Sequence, residues 1–294
     1  MTRIEEFGWS GPVEPGIARV ISSHGDYFHL VANERGGEIL ARRKKSAFKY
    51  RKRIDSAAGA GVVNSRRADL NGELLNPITG DFVRYRYNSQ GESMITEVLP
   101  RFSHFERKDP TARRSSQTLA VNFNTLFVMM SLNENFSTAR IERFLALAAD
   151  MGEAEAVVVL TKVDLREPGD DEFVDALVET IGGRARLVQL SSLTGEGLDE
   201  VRRYLLPRRT VAFIGSSGVG KSTLLNVLAG EEWAATQEIQ EWSGKGRHTT
   251  TSRELVMLPD GAMVVDTPGI REIGKVGEAE EMLVKGESSH RWRK

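Results

Sequence analysis

"TVAFIGSSGVGKSTLLNVLAG", residues 210–230, holds the decision about the fold. A short apolar strand pattern runs into a turn with three glycines, and the turn opens a helical pattern. Gly215 to Ser222 fits G-x-x-x-x-G-K-[ST] in the strand–loop–helix context that the motif requires. Backbone N–H groups from Gly215, Ser216, Ser217, Gly218, Val219 and Gly220 can converge on nucleotide phosphates, because glycines leave the approach open. The positive end of the helix backs them, and Thr223 lies in its first turn. Lys221 reaches toward the β- and γ-phosphates, and the Ser222 hydroxyl is a ligand for Mg2+.

A second phosphate element lies downstream. In "MVVDTPG", residues 263–269, Asp266 ends an apolar strand 45 positions past Lys221, the place of a carboxylate that meets Mg2+. Gly269 presents a backbone N–H that no side chain obstructs. Between the two lies "SGKGRHTTTSRE", a glycine-rich stretch whose threonines are candidates for a switch closing on Mg2+. Thr250 is the expected ligand, with Thr249 and Thr251 as neighbours that could take its place.

Phosphate chemistry does not say which base is bound. Guanine is read by [NT]-K-x-D, whose carboxylate accepts from the ring N1–H and the exocyclic amine while the Lys stem covers the ring. Adenine presents the wrong donors, so the unpaired carboxylate rejects it. Only 25 residues follow Gly269, fewer than the roughly 30 of a βαβ unit, and none forms such a motif. Upstream, "VVVLTKVD" supplies Thr161, Lys162 and Asp164 at a strand's carboxyl end, where open α/β sheets bind ligands. "VQLSSLTGEG" follows at the end of another strand, with Ser191 and Ser192 as donors to the guanine O6. The order is therefore base reader, base support, phosphate loop, switch, D-x-x-G. An ordinary GTPase cut before its base-reading half and rejoined at its old ends gives this order. The competing reading is a P-loop ATPase or kinase with coincidental upstream motifs.

Working outward, strand and helix patterns alternate from residue 125 to 269, which predicts a doubly wound α/β sheet. "TLFVMMSL" (125–132) holds a continuous apolar run, as a strand covered on both faces does. Before it, "GIARVISSHGDYFHLVA", "GGEILARR" and "GDFVRYRYNSQGESMITEVLP" alternate apolar and polar residues, the last as a hairpin turning near "NSQGE". These short strands predict a small barrel or sandwich. "RFSHFERKDPTARRSSQ" (101–117), polar and broken by Pro110, reads as a linker. The expected organisation is an all-β domain over 1–112, an α/β domain over 113–274 and a short tail over 275–294.

Residues 1–120 carry 20 Lys and Arg against 14 Asp and Glu, while the remainder carries 20 against 27, so a net charge of −1 conceals a basic front and an acidic back. "RRKKSAFKYRKR", Arg42 to Arg53, holds eight basic residues interleaved with Phe48 and Tyr50. That mix suits a phosphate backbone together with a base or ribose face, although a solvated loop has the same composition. No apolar run reaches the roughly 18 residues of a membrane span, so no membrane partner is expected. Zero cysteines exclude disulfides and thiolate zinc sites and fit a reducing, cytoplasmic setting.

The pieces "TKVD", "SSLTGEG", "GSSGVGKSTLLN", "GRHTTT" and "DTPGIRE", in that order behind a basic β domain, resemble the RsgA (YjeQ) family of circularly permuted GTPases. The resemblance runs from about residue 15 to 274. It implies an α/β P-loop GTPase domain with circularly permuted motif order, preceded by a small all-β OB-fold-like barrel. It also implies GTP, GDP and Mg2+ as cofactors, binding to the 30S subunit and its 16S rRNA, and a role in late small-subunit maturation; a monomer is expected. Family members continue into a Cys/His zinc-binding module; with no cysteine in this chain, no zinc is expected. Ile270 stands after D-x-x-G, where many GTPases place a water-orienting Gln, and an apolar side chain predicts slow intrinsic turnover. His248 is the nearby histidine able to orient water, a role the resemblance also implies. A nucleotide-gated RNA-binding adaptor with negligible turnover remains the alternative from another class.

Overall fold

The computed structural model describes residues 1–33, 37–43, 76–108, 116–133, 136–230 and 253–266. Parallel strands β8 (Thr125–Ser131), β9 (Glu155–Thr161), β10 (Arg186–Leu190), β11 (Thr210–Ile214) and β13 (Met263–Asp266) form a sheet of order β10-β9-β8-β11-β13. β12 (Arg253–Met257) closes its edge antiparallel to β13. Every residue of β8 is buried, and its alternation explains why. Leu126, Val128 and Met130 enter a core covered by α2 (Thr138–Ala148) and α3 (Asp171–Ile181). Phe127 and Met129 enter the core on the opposite face, shared with α4 (Leu198–Arg202) and α5 (Lys221–Ala229). The centre of β8, Leu126 to Met130, is apolar because both faces are packed.

The amino-terminal strands β1 (Ile17–His24), β2 (Tyr27–Ala32), β3 (Ile39–Arg43), β4 (Phe82–Arg86) and β5 (Ser93–Val98) run in the order β1-β2-β3-β5-β4. β4 pairs back onto β1, so the sheet closes into a five-stranded barrel. β3 and β5 are parallel and the other pairs antiparallel, an OB-like arrangement. Inward residues of each strand, among them Val20, Leu30, Ala41, Val83 and Ile95, fill the interior. A short helix, α1 (Arg3–Glu6), closes one end through Ile4, which packs with Ile17, Phe82 and Leu99.

Two expectations need correction. The segment 101–117 is not a plain linker: β6 (His104–Lys108) pairs antiparallel with β7 (Ser116–Val121). Its polarity is misleading, because Phe105 is fully buried with Leu119 and Phe123 beside Phe144 of α2. Ser103 fastens the base of the hairpin, its hydroxyl donating to the Phe123 carbonyl at 2.5 Å and accepting from the Phe123 N–H at 2.8 Å. Phe105→Ala is expected to cost about 3–5 kcal/mol, read as a denaturant midpoint. A loss below about 1 kcal/mol would return the segment to the status of a connector. The second correction concerns the stretch assigned to the switch, whose last two residues, Arg253 and Glu254, begin β12. The β12–β13 hairpin turns at "LPDG", 258–261, whose Pro-Asp-Gly was a readable turn signal.

Candidate nucleotide-binding site

Four predicted motifs arrive at one edge of the sheet. The carboxyl ends of the five parallel strands point the same way, so β9 delivers Thr161 to Asp164, β10 delivers Ser191 and Ser192, β11 delivers the phosphate loop and β13 ends at Asp266. The base-reading strands β9 and β10 lie on one side of β8, and the phosphate strands β11 and β13 on the other. From β9 to β11 is two strand spacings, about 10 Å, a span that would set a nucleotide across β8.

The phosphate loop is shaped by close approach. Gly215 has φ +154°, and a Cβ there would meet the Met129 carbonyl oxygen at 2.6 Å, so this position admits glycine alone. Val219 is buried against the α5 side of the core and anchors the loop. Lys221 opens α5, and its Nζ donates to the carbonyl oxygens of Gly215 and Ser216, each at 2.7 Å. The ammonium is thus held over the loop by its own backbone. Ser216 Oγ is buried without a hydrogen-bond partner among the described residues. An orphaned hydroxyl beside an ammonium at a helix amino terminus is a donor set that fits phosphate oxygens. Ser217 and Gly218 form the exposed turn of the loop before Gly220 caps α5 in the left-handed region, with Ser222 and Thr223 exposed in its first turn.

The base side is a hydrogen-bonded unit. A 3-10 turn over Val163–Leu165 carries Asp164, preceded by Lys162 in the left-handed region at φ +61°. Ser191 Oγ donates to Asp164 Oδ1 at 2.6 Å and accepts from the N–H groups of Leu193 (3.2 Å) and Thr194 (3.1 Å). The paired serines therefore divide their work. The Ser191 hydroxyl aims the carboxylate and shapes its own loop, whereas the Ser192 N–H has no partner among the described residues. Asp164 is exposed. Gly197 permits this loop: a Cβ there would lie 1.8 Å from the Gln189 carbonyl oxygen.

Thr161, expected among the nucleotide contacts, acts one step back. Its buried hydroxyl lies 2.7 Å from the Val219 carbonyl oxygen and 3.2 Å from that of Met130, tying β9 and β8 to the phosphate loop. No local signal reveals this, because it depends on three strands lying side by side. Thr161→Val is expected to weaken nucleotide binding about fivefold, as loss of one buried hydrogen bond does. Titration of a fluorescent nucleotide measures it, and unchanged affinity would show that the loop holds its shape alone.

The residues expected to hold Mg2+ are Ser222, Thr250 and Asp266. Ser222 and the Asp266 backbone are placed at the phosphate edge; His248, Thr249, Thr250, Thr251, Gly269 and Ile270 lie outside the described residues. Among the described residues no cluster of three or more His, Cys, Asp or Glu side chains gathers.

Motifs in permuted order, converging in space, define a circularly permuted P-loop nucleotide-binding domain behind an OB-like barrel. The family model for the RsgA GTPase matches residues 98–276, and the chain belongs to that family. A "Small ribosomal subunit biogenesis GTPase RsgA 2" of Lactiplantibacillus plantarum is 38% identical over 259 residues, covering 87% of this chain and 66% of that protein. A "Small ribosomal subunit biogenesis GTPase RsgA" of Methanosarcina acetivorans is 38% identical over 224 residues, 74% of this chain and 60% of its own length. The chain thus spans less than two thirds of these relatives. The crystal structure of YjeQ from Thermotoga maritima superposes with a TM-score of 0.58 at 26% identity, covering 86% of this chain and 74% of that one. YloQ, described as a circularly permuted GTPase, superposes at 0.50 with 21% identity, which speaks for the fold.

Proposed function

We propose that the chain binds GTP and hydrolyses it to GDP and phosphate in late maturation of the small ribosomal subunit. The observation that carries this is the Asp164–Ser191 pair, set across β8 from the phosphate loop on one sheet edge. An aspartate held by a serine hydroxyl, with a free N–H beside it, matches the donor and acceptor edge of guanine and not that of adenine. The relatives' names supply the ribosomal setting. Ser222, Asp266 and Thr250 are the side chains that would hold Mg2+, which screens charge on the phosphates. Lys221 stabilises that charge, and His248 orients water in place of the side chain that Ile270 lacks.

The basic barrel is the surface for 16S rRNA. Arg42 and Arg43, the first of the run to Arg53, sit on β3, and the rest of the run lies outside the described residues. We assign the barrel to 1–112 and the nucleotide domain to 113–274, with the β6–β7 hairpin packing into the latter's core. Among the described residues no helix is long and apolar enough to cross a membrane.

GTP is expected to compete far better than ATP for the site, and isolated 30S subunits to accelerate phosphate release. Equal competition by ATP would overturn the guanine assignment. Tight GTP binding with no multiple-turnover phosphate release, with or without 30S, would favour the adaptor reading, to which Ile270 lends support.

A further inference from the structure

The barrel does not merely neighbour the nucleotide domain; it continues its sheet. β1 adds to the free edge of β12, with Ser22 opposite Glu254 and Ser23 opposite Arg253. β12 begins three residues after Thr250 in the sequence, and its partner β13 ends at Asp266, leading into Thr267 to Gly269. A barrel strand is therefore hydrogen-bonded to the hairpin that, in sequence, joins the proposed switch threonines to D-x-x-G.

β1 is shaped for this contact. Its register with β2 shifts between Val20 and Ser22, and Ile21, the residue at the shift, packs with Leu255, Met263 and Val265 of the hairpin. Irregularities of this kind re-aim a strand away from its own sheet. Two residues earlier, Arg19 is buried to 1% exposure beneath both domains. Its Nη1 donates to the Phe7 carbonyl at 2.6 Å, and its Nη2 to the Asn122 carbonyl at 2.9 Å and to Thr210 Oγ1 at 3.0 Å. Its Nε donates to the Gly80 carbonyl at 3.3 Å, and Nη1 also lies 3.3 Å from Met263 Sδ.

Thr210 and Met263 are the first residues of β11 and β13, the strands whose far ends carry the phosphate loop and Asp266. One barrel side chain thus grips the near ends of both phosphate-directed strands. Burial pulls the Arg19 guanidinium down to about 9, with Asp81 opposing, so it stays charged at neutral pH. The Asp81 carboxylate is itself engaged in a two-pronged pair with Arg101, at 2.8 Å on each oxygen. Arg19 is therefore held mainly by fixed carbonyl dipoles. A buried charge so held loses several charge-assisted bonds if either domain slides, so the junction moves as a unit instead of yielding. A cleft of about 180 Å³, lined by Arg19, Asn122, Arg208 and Thr210 among others, opens beside it.

We propose that this junction couples the nucleotide site to the barrel: the nucleotide state at the ends of β11, β12 and β13 sets how firmly β1 is seated on β12. This rests on the reading of the site as a guanine-nucleotide switch. Linkage makes it reciprocal, so loosening the junction must change the preference between GTP and GDP although no nucleotide contact is touched.

Hydrogen exchange on the full chain, saturated with Mg2+ and either GDP or a non-hydrolysable GTP analogue, tests it without a variant. Amides of Ser22–His24 and Arg253–Met257 are expected to differ in protection by about fivefold or more between the two states. Ile21→Ala, which trims the packing on the hairpin and leaves Arg19 in place, is expected to shift the ratio of GTP-analogue to GDP dissociation constants by a similar factor. A merely structural junction would lower Tm and leave that ratio unchanged. Equal exchange in both states, or an unchanged ratio in a folded variant, overturns the proposal. Failure to bind either guanine nucleotide overturns the reading of the site and this coupling with it, whereas tight binding with identical exchange overturns the coupling alone.

Discussion

Lys221→Ala is expected to reduce GTP turnover by about a hundredfold or more, the usual loss when one preorganised donor to a transition-state oxyanion is removed. In the fold the ammonium already lies over the loop, 2.7 Å from the carbonyl oxygens of Gly215 and Ser216. Its attraction to these two neutral dipoles is weaker than to phosphate oxygens, so transfer to a bound nucleotide is downhill. The variant also releases those carbonyls, and nucleotide affinity should fall together with kcat. Stopped-flow binding and phosphate release separate the two losses. A variant that keeps wild-type turnover would remove Lys221 from the mechanism and, with it, the phosphate-loop reading.

Asp164→Asn should weaken GTP by about 10²–10⁴-fold, since two hydrogen bonds to a charged acceptor are lost at roughly 1.5–3 kcal/mol each. Xanthosine triphosphate, which offers a carbonyl where guanine offers an amine, should be gained in exchange. The structure makes this a clean test. An Asn at 164 still accepts from the Ser191 hydroxyl through its amide oxygen, so the 191–197 loop keeps its place. Only the edge facing the base changes character. Normal GTP selectivity in a folded Asp164→Asn protein would show that the base is read elsewhere.

Much of the site was legible because its signals are local. A glycine where a Cβ would strike the Met129 carbonyl, a lysine at the first position of α5 and an aspartate at a strand's end belong to short, contiguous motifs. The barrel was legible for the same reason, its alternation marking an inside and an outside on each strand. The hairpin of β6 and β7 was not, because charged residues outnumber the one aromatic that matters, and Phe105 shows its importance only against α2. β12 was hidden by its length and by the glycine-rich stretch before it. The role of Thr161 needed the adjacency of β8, β9 and β11.

The amino-acid sequence alone determined what each motif can bind and the permuted order in which the motifs occur, since both follow from residue chemistry at short spacing. The tertiary structure decided which motifs serve one another. It set the Ser191 hydroxyl on Asp164, the Thr161 hydroxyl on the phosphate loop, and Arg19 beneath strands that begin at residues 210 and 263. These pairings join residues far apart in the chain. They depend on sheet order and register, which arise when all strands pack together and which no single segment encodes.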